Sequence, residues 1–148
     1  MTGQATPEGT ARYTERLAGR VSPDHFRTLG PGLRLSTLGL GTYLGAEDDA
    51  TDALYRRAIP HALERGVNVL DCAINYRHQR SERAIGQTLD AAVGRRLVAR
   101  DEVVVATKGG FIALDAADPR DPRAYFSDTY LASGLVTPDD IAGGVHCM

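Results

Sequence analysis

The sequence predicts an α/β fold built on a parallel sheet, and three observations carry that prediction. Val67-Asn68-Val69-Leu70-Asp71 and Glu102-Val103-Val104-Val105-Ala106-Thr107 are near-continuous apolar runs, as expected of strands covered on both faces by crossover helices. Their starts lie roughly thirty residues apart, the length of one βαβ unit. Between them, over Ser81 to Val93, the residues Ile85, Leu89, Ala92 and Val93 recur at helical spacing before Gly94.

The remaining elements follow in order. Residues 1–25 are polar and lack sustained periodicity, apart from a short helical stretch over Thr10 to Ala18, and read as a flexible leader. From Phe26 two extended pieces flank Gly30-Pro31-Gly32 and end at Arg34-Leu35-Ser36, the pattern of a hairpin. Thr37-Leu38-Gly39-Leu40-Gly41-Thr42-Tyr43 reads as a further strand, whose glycines admit close approach of backbone or ligand. Asp48 to Arg65 has helical composition, with Leu54, Ala58, Ala62 and Leu63 as its apolar face and Gly66 as its stop. Pro60 lies inside it, so the helix is expected to bend or split there. After Lys108-Gly109-Gly110 the pattern gives way to a long loop bearing Phe111, Tyr125, Phe126 and Tyr130, either a pocket wall or a local core. Thr137-Pro138-Asp139-Asp140 then has the cap, proline and acids of a helix start.

Composition excludes several classes. Hydrophobic residues make up 43% and charged residues 24% of the 148, ordinary for a chain with a core. The net charge is -2, with the basic residues scattered rather than aligned, which gives no stripe to recruit nucleic acid or an anionic membrane. No signal-type or spanning apolar segment is present in the sequence, so a cytoplasmic location is expected. Cys72 and Cys147 match no CxxC spacing and read as reduced thiols, Cys72 as a small buried residue. His146 with Cys147 offers two adjacent ligands without partners, so no metal site is expected. His25 and His61 read as surface residues, and His78 as a solvated neighbour of Arg77, Gln79 and Arg80.

In parallel β/α architectures ligands gather at the carboxyl ends of the strands. The polar residues there are Thr42 and Tyr43, then Asp71 with Asn75 and Tyr76, then Lys108. A buried ammonium lowers the pKa of a neighbouring phenol, and a carboxylate holds the ammonium. Asp71, Lys108 and Tyr76 thus form a device for giving a proton to a carbonyl oxygen, with the hydride coming from a nicotinamide because no side chain supplies one. The bland alternative is a structural ion pair beside a tyrosine, and Gly39 and Gly41 on their own suit simple packing.

Several spaced segments resemble the aldo-keto reductase family. Leu38-Gly39-Leu40-Gly41-Thr42-Tyr43 is similar to its first strand, and Gly66 to Tyr76 resembles its second, with the Asp and Tyr five positions apart. Ser81-Glu82-Arg83-Ala84-Ile85-Gly86 is similar to the start of its second helix, and Val104 to Lys108 to its third strand with the lysine. The resemblance implies a (β/α)8 TIM barrel, of which residues 26–148 carry the N-terminal hairpin and first three βα units, truncated within helix three. It implies an NADPH-dependent oxidoreductase that reduces aldehydes or ketones, with a small carbonyl compound as substrate. Asp71, Tyr76 and Lys108 take the catalytic places, Tyr76 as acid, while Gly41, Thr42, Tyr43 and Asp71 take the places that meet the nicotinamide end of the cofactor. The family's histidine follows its fourth strand, and His146 comes too soon after Thr137 to hold that place. The competing expectation is an inactive reductase-like fragment or a regulatory subunit. Three strands leave open edges, so the chain alone is expected to be marginally stable.

Overall fold

The computed structural model describes residues 2–118 and 121–141. The first element corrects the flexible leader. Helix α1, Pro7–Arg16, is capped by Thr6, whose hydroxyl accepts from Gly9 N, with Pro7 in the first turn. Tyr13 and Leu17 are buried in the central apolar cluster, and Tyr13 Oη donates to the Leu63 carbonyl at 2.6 Å. The leader looked polar because only one stripe of it is apolar; its other contacts are polar and reach residues far away in sequence. Arg12 pairs with Asp101 at 2.7 Å and Arg16 with Glu102 at 2.7 Å.

The expected hairpin is present as β1, Phe26–Leu29, and β2, Leu33–Ser36, antiparallel with Phe26 opposite Ser36. The three expected parallel strands are present and shorter than the apolar runs: β3, Leu40–Gly41, β4, Val69–Asp71, and β5, Val104–Ala106. They pair in the order β3-β4-β5, with Leu40 beside Leu70 and Leu70 beside Val105. A buried asparagine joins the two sheets. Asn68 Oδ1 accepts from Ser36 N at 2.9 Å, while its Nδ2 donates to the carbonyls of Arg34 and Glu102.

Helix α2, Asp49–Glu64, is capped by Asp48 and runs through Pro60 as one element rather than two. Gly66, with φ of 94°, supplies the left-handed residue that closes its end. Its expected apolar face needs correction: Leu54 is 56% exposed, and the buried residues are Thr51, Asp52, Ile59 and Leu63. Apolar residues alone do not define this face, because polar Thr51 and Asp52 are buried on it with Ile59 and Leu63. Helix α3, Arg80–Gly94, keeps its expected stripe, with Ile85, Leu89 and Ala92 buried and Val93 packed at the edge. Cys72 is buried as expected. His25 is corrected from a surface residue: half-buried, it lies edge-on to Phe26, with Nε2 3.0 Å from the Gly66 carbonyl.

The long segment after Lys108 is not all loop. It contains a short helix α4, Pro122–Phe126, capped by Asp121, followed by a wide turn over Ser127–Leu131. Tyr125 and Phe126 are buried and Phe126 stacks on Tyr130 at 5.8 Å, a local core, whereas Phe111 is exposed. Thr137 caps a single 3₁₀ turn, Pro138–Asp140; the rest of the expected third helix, with His146 and Cys147, lies outside the described residues. Among the described residues no helix is long and apolar enough to cross a membrane.

Two measurements check the docking of α1. A Cβ at Gly9 would lie 2.2 Å from the Asp101 carbonyl oxygen, and backbone cannot yield as a side chain does. Gly9→Ala gains about 1 kcal/mol of helix propensity but is expected to lose about 1–3 kcal/mol to the clash, so its urea midpoint falls or at best stays level; a clear rise would refute the close contact. The second concerns Glu102. Burial pushes its carboxyl up, but hydrogen bonds from Arg16 and from Ala99 N outweigh that and hold it below its ordinary value. A lowered carboxyl contributes stability above its unfolded pKa and loses it as pH falls through the folded one. The melting temperature should therefore drop as pH falls below the ordinary glutamate range, about 4.3, and drop less in Arg16→Met.

Candidate active site

The pleat of the three parallel strands sorts their residues by parity. Leu40, Leu70 and Val105 face the helices and join the core cluster. Gly41, Asp71 and Ala106, hydrogen-bonded neighbours across the sheet, face the other way. Two residues on, Tyr43 and Lys108 return to the face of Gly41 and Ala106. Lys108 Nζ lies 2.8 Å from both Asp71 carboxylate oxygens, 3.0 Å from the Cys72 carbonyl and 2.9 Å from Tyr76 Oη. The structure thus brings Asp71, Tyr76 and Lys108 to one point.

An ammonium has three protons and no acceptor. Tyr76 Oη must therefore accept from Lys108, and the phenol's own proton is free for another acceptor. The ammonium also sits 4.6 Å from the centre of the Tyr76 ring, and the Tyr43 ring meets that of Tyr76 edge-on at 5.0 Å. The Asp71 carboxylate first, then the Tyr76 hydroxyl, raise the Lys108 pKa above its ordinary value. One expectation changes here: the ammonium is not buried. The side chains of Lys108 and Asp71 are 48% and 41% exposed, because among the described residues little covers this face of the sheet.

The four expected cofactor contacts divide. A Cβ at Gly41 would meet nothing within 4 Å, so the face above it is an open floor, bounded by Asp71, Lys108 and the exposed Tyr43 ring. Thr42 turns the other way: its side chain is buried on the opposite face, its Oγ1 donating to the Asp71 carbonyl at 2.8 Å and bonded to Ser81 Oγ. Strand parity places it there. Its hydroxyl holds the strand and helix that carry the site and does not reach the floor. Among the described residues no cluster of three or more metal-ligating side chains occurs.

Sequence reading missed the polar network beside the site. Arg77 stands in a run of polar residues, yet its side chain is only 2% exposed, and Nη1 donates to Asp52 Oδ1 at 2.7 Å. Arg80 donates to the other Asp52 oxygen and to Asp49. Burial pushes the Asp52 carboxyl up, but the two guanidinium groups override it and hold it below its ordinary range. His78 is likewise half-buried rather than solvated, with Nδ1 2.8 Å from Glu47. Arg77, His78 and Gln79 take φ of 50°, 48° and 70°, three consecutive non-glycine residues in the left-handed region, each at a cost of about 1–2 kcal/mol. Residue type gives little signal of this, since of the three only histidine is enriched in that conformation.

A carboxylate, an ammonium and a phenol thus meet on an open face at the carboxyl ends of the parallel strands. The family model for the aldo/keto reductase family matches residues 37–132, and the chain belongs to that family.

Replacing the Thr42 hydroxyl tests whether it holds the floor. Thr42→Val leaves Ser81 Oγ and the Asp71 carbonyl short of a buried partner, so a loss of about 1–3 kcal/mol in urea unfolding is expected. A stability equal to that of the unsubstituted chain would show the hydroxyl to be dispensable.

Proposed function

We propose that this protein reduces aldehydes or ketones to alcohols with NADPH, with Tyr76 as the proton donor. Membership of the family supports oxidoreductase chemistry of the aldo-keto reductase type. The observation that carries the finer reading is the single ammonium of Lys108, hydrogen-bonded to both the Asp71 carboxylate and Tyr76 Oη. On this reading the hairpin and the three parallel strands are the opening of the family's (β/α)8 barrel.

Each residue then has a part set by its bonding. Asp71 anchors the Lys108 side chain. Lys108 donates to Tyr76 Oη and so aims the phenol proton outward, towards the open face. A carbonyl oxygen placed there accepts that proton, and Lys108 stabilises the charge left on the phenol oxygen. When bound, the nicotinamide supplies hydride to the carbonyl carbon. Gly41, Asp71 and the Tyr43 ring would hold its nicotinamide end, Gly41 by leaving room and the other two by flanking it.

The test is the loss of NADPH absorbance with benzaldehyde as acceptor. In a full-length barrel carrying these residues turnover is expected, and Tyr76→Phe should lower kcat by about 10²–10⁴-fold while leaving the NADPH dissociation constant largely unchanged. Undiminished turnover in Tyr76→Phe would remove Tyr76 from the acid role, and no turnover in the unsubstituted full-length barrel would overturn the reading.

A further inference from the structure

On the reductase reading the substrate carbonyl sits at Tyr76 Oη, and Lys108 Nζ lies only 2.9 Å from that oxygen. The site would then hold an electrophilic carbon beside an amine. A free amine attacks such a carbon through its nitrogen lone pair. A proton passes from nitrogen to the carbonyl oxygen, and loss of water leaves an imine. Aldehydes, the more electrophilic carbonyls, do this faster than ketones, and an imine at Lys108 would block the site.

Burial does not prevent it. The Lys108 side chain is 48% exposed, on the open face of the sheet, so an aldehyde reaches it. What the structure supplies instead is a full set of acceptors. Nζ lies 2.8 Å from both Asp71 carboxylate oxygens, 3.0 Å from the Cys72 carbonyl and 2.9 Å from Tyr76 Oη. An ammonium has three protons, and here each has a place to go. Freeing the lone pair means giving up one of these bonds beside a carboxylate, where charge-assisted bonding favours the ammonium. The Asp71 carboxylate first, then the Tyr76 hydroxyl, raise the Lys108 pKa above its ordinary value.

The rest of the chain offers an aldehyde no other side-chain amine. Lys108 is the only lysine in the 148 residues, and the other sixteen of its seventeen Lys and Arg residues are arginine. A guanidinium stays protonated in proteins and does not form imines with simple aldehydes near neutral pH.

We propose that Asp71 keeps Lys108 from condensing with aldehydes that enter the site, so that the ammonium serves Tyr76 without being consumed. Asp71 is in this respect a positioning residue, acting through Lys108. That aldehydes enter as substrates rests on the reductase reading above; the unreactivity of the Lys108 amine does not. Within that reading the arrangement points to aldehydes rather than ketones, because they are the carbonyls against which an exposed amine needs protection.

The experiment traps the imine. Benzaldehyde and cyanoborohydride are added near neutral pH to the same full-length barrel, folded or in concentrated urea, and the adduct at Lys108 is followed by peptide mass mapping. Cyanoborohydride supplies the hydride that turns any imine into a stable secondary amine. Labelling at Lys108 is expected to be at least about tenfold slower in the folded protein, as a free-amine fraction lowered by one pKa unit requires. Asp71→Asn, folded by circular dichroism, should lose most of that difference. A steric shield is told apart by the pH profile of acetic anhydride labelling: retained protons move its midpoint above that found in urea, whereas a shield lowers the rate and leaves the midpoint in place. Labelling of the folded protein at the urea rate, protection that survives in folded Asp71→Asn, or an unmoved midpoint overturns the proposal. The midpoint in the unsubstituted protein decides the matter if Asp71→Asn does not fold. Slow labelling without NADPH turnover leaves Lys108 protected and removes the reductase reading; turnover with rapid labelling does the reverse.

Discussion

The register of three short parallel strands is the constraint on which the rest depends. Leu40, Leu70 and Val105 lie side by side facing the helices, and this alone puts Gly41, Asp71 and Ala106 side by side on the other face. A slip of one residue would turn Asp71 under α3 and bring Leu70 to the rim, exchanging a buried apolar layer for a buried carboxylate. The apolar core therefore enforces the position of the polar site. Gly41 and Ala106 matter here through what they lack, since side chains beside Asp71 on either strand would fill the space into which Lys108 reaches.

The register is in turn held from the opposite end of the strands. Asn68 precedes β4, and its amide bridges the hairpin at Ser36 and Arg34 and the start of β5 at Glu102. Glu102 also holds Arg16 of α1. Buried polar groups with every partner in place are unforgiving of displacement, so this layer fixes the heights of two strands relative to each other. Buried hydrogen bonds thus tie the strands at the base, and Thr42 with Ser81 ties them again under the site, while the face that bears Lys108 remains open.

What was legible in the sequence follows from this division. Strand parity and helix stripes are periodic, and Ile85, Leu89 and Ala92 or the alternation from Leu70 to Asp71 could be read directly. The three polar residues at the strand ends, Asp71, Tyr76 and Lys108, could be placed on one rim because strand ends converge in any such sheet. Features made by contacts distant in sequence were not legible. The docking of α1 depends on Gly9 meeting the Asp101 backbone and Tyr13 meeting Leu63, neither of which has a local pattern. The burial of Arg77 depends on Asp52 of α2, and a run of Arg, His, Gln and Arg carries the signature of a solvated loop until its partners are known. The face of α2 was misread for the same reason, as its buried Asp52 is polar and its Leu54 is exposed.

Parity also bears on whether the Lys108 cluster is merely structural. An ion pair whose members are 48% and 41% exposed contributes little to stability, because water screens it and ordering two side chains opposes it. The same chain builds its stabilising pairs differently: Arg16 with a Glu102 that is 4% exposed, and Arg77 with a nearly enclosed Asp52. A structural role would thus leave the Lys108 cluster as the weakest of these pairs, on an open face where solvated side chains would serve as well. Its geometry is nevertheless the most demanding, with one ammonium shared among a carboxylate, a carbonyl and a phenol oxygen. Four acceptors for three protons is an arrangement that fixes where the Tyr76 proton does not point, and on the proposed reading that leaves the proton for an acceptor arriving from the open side.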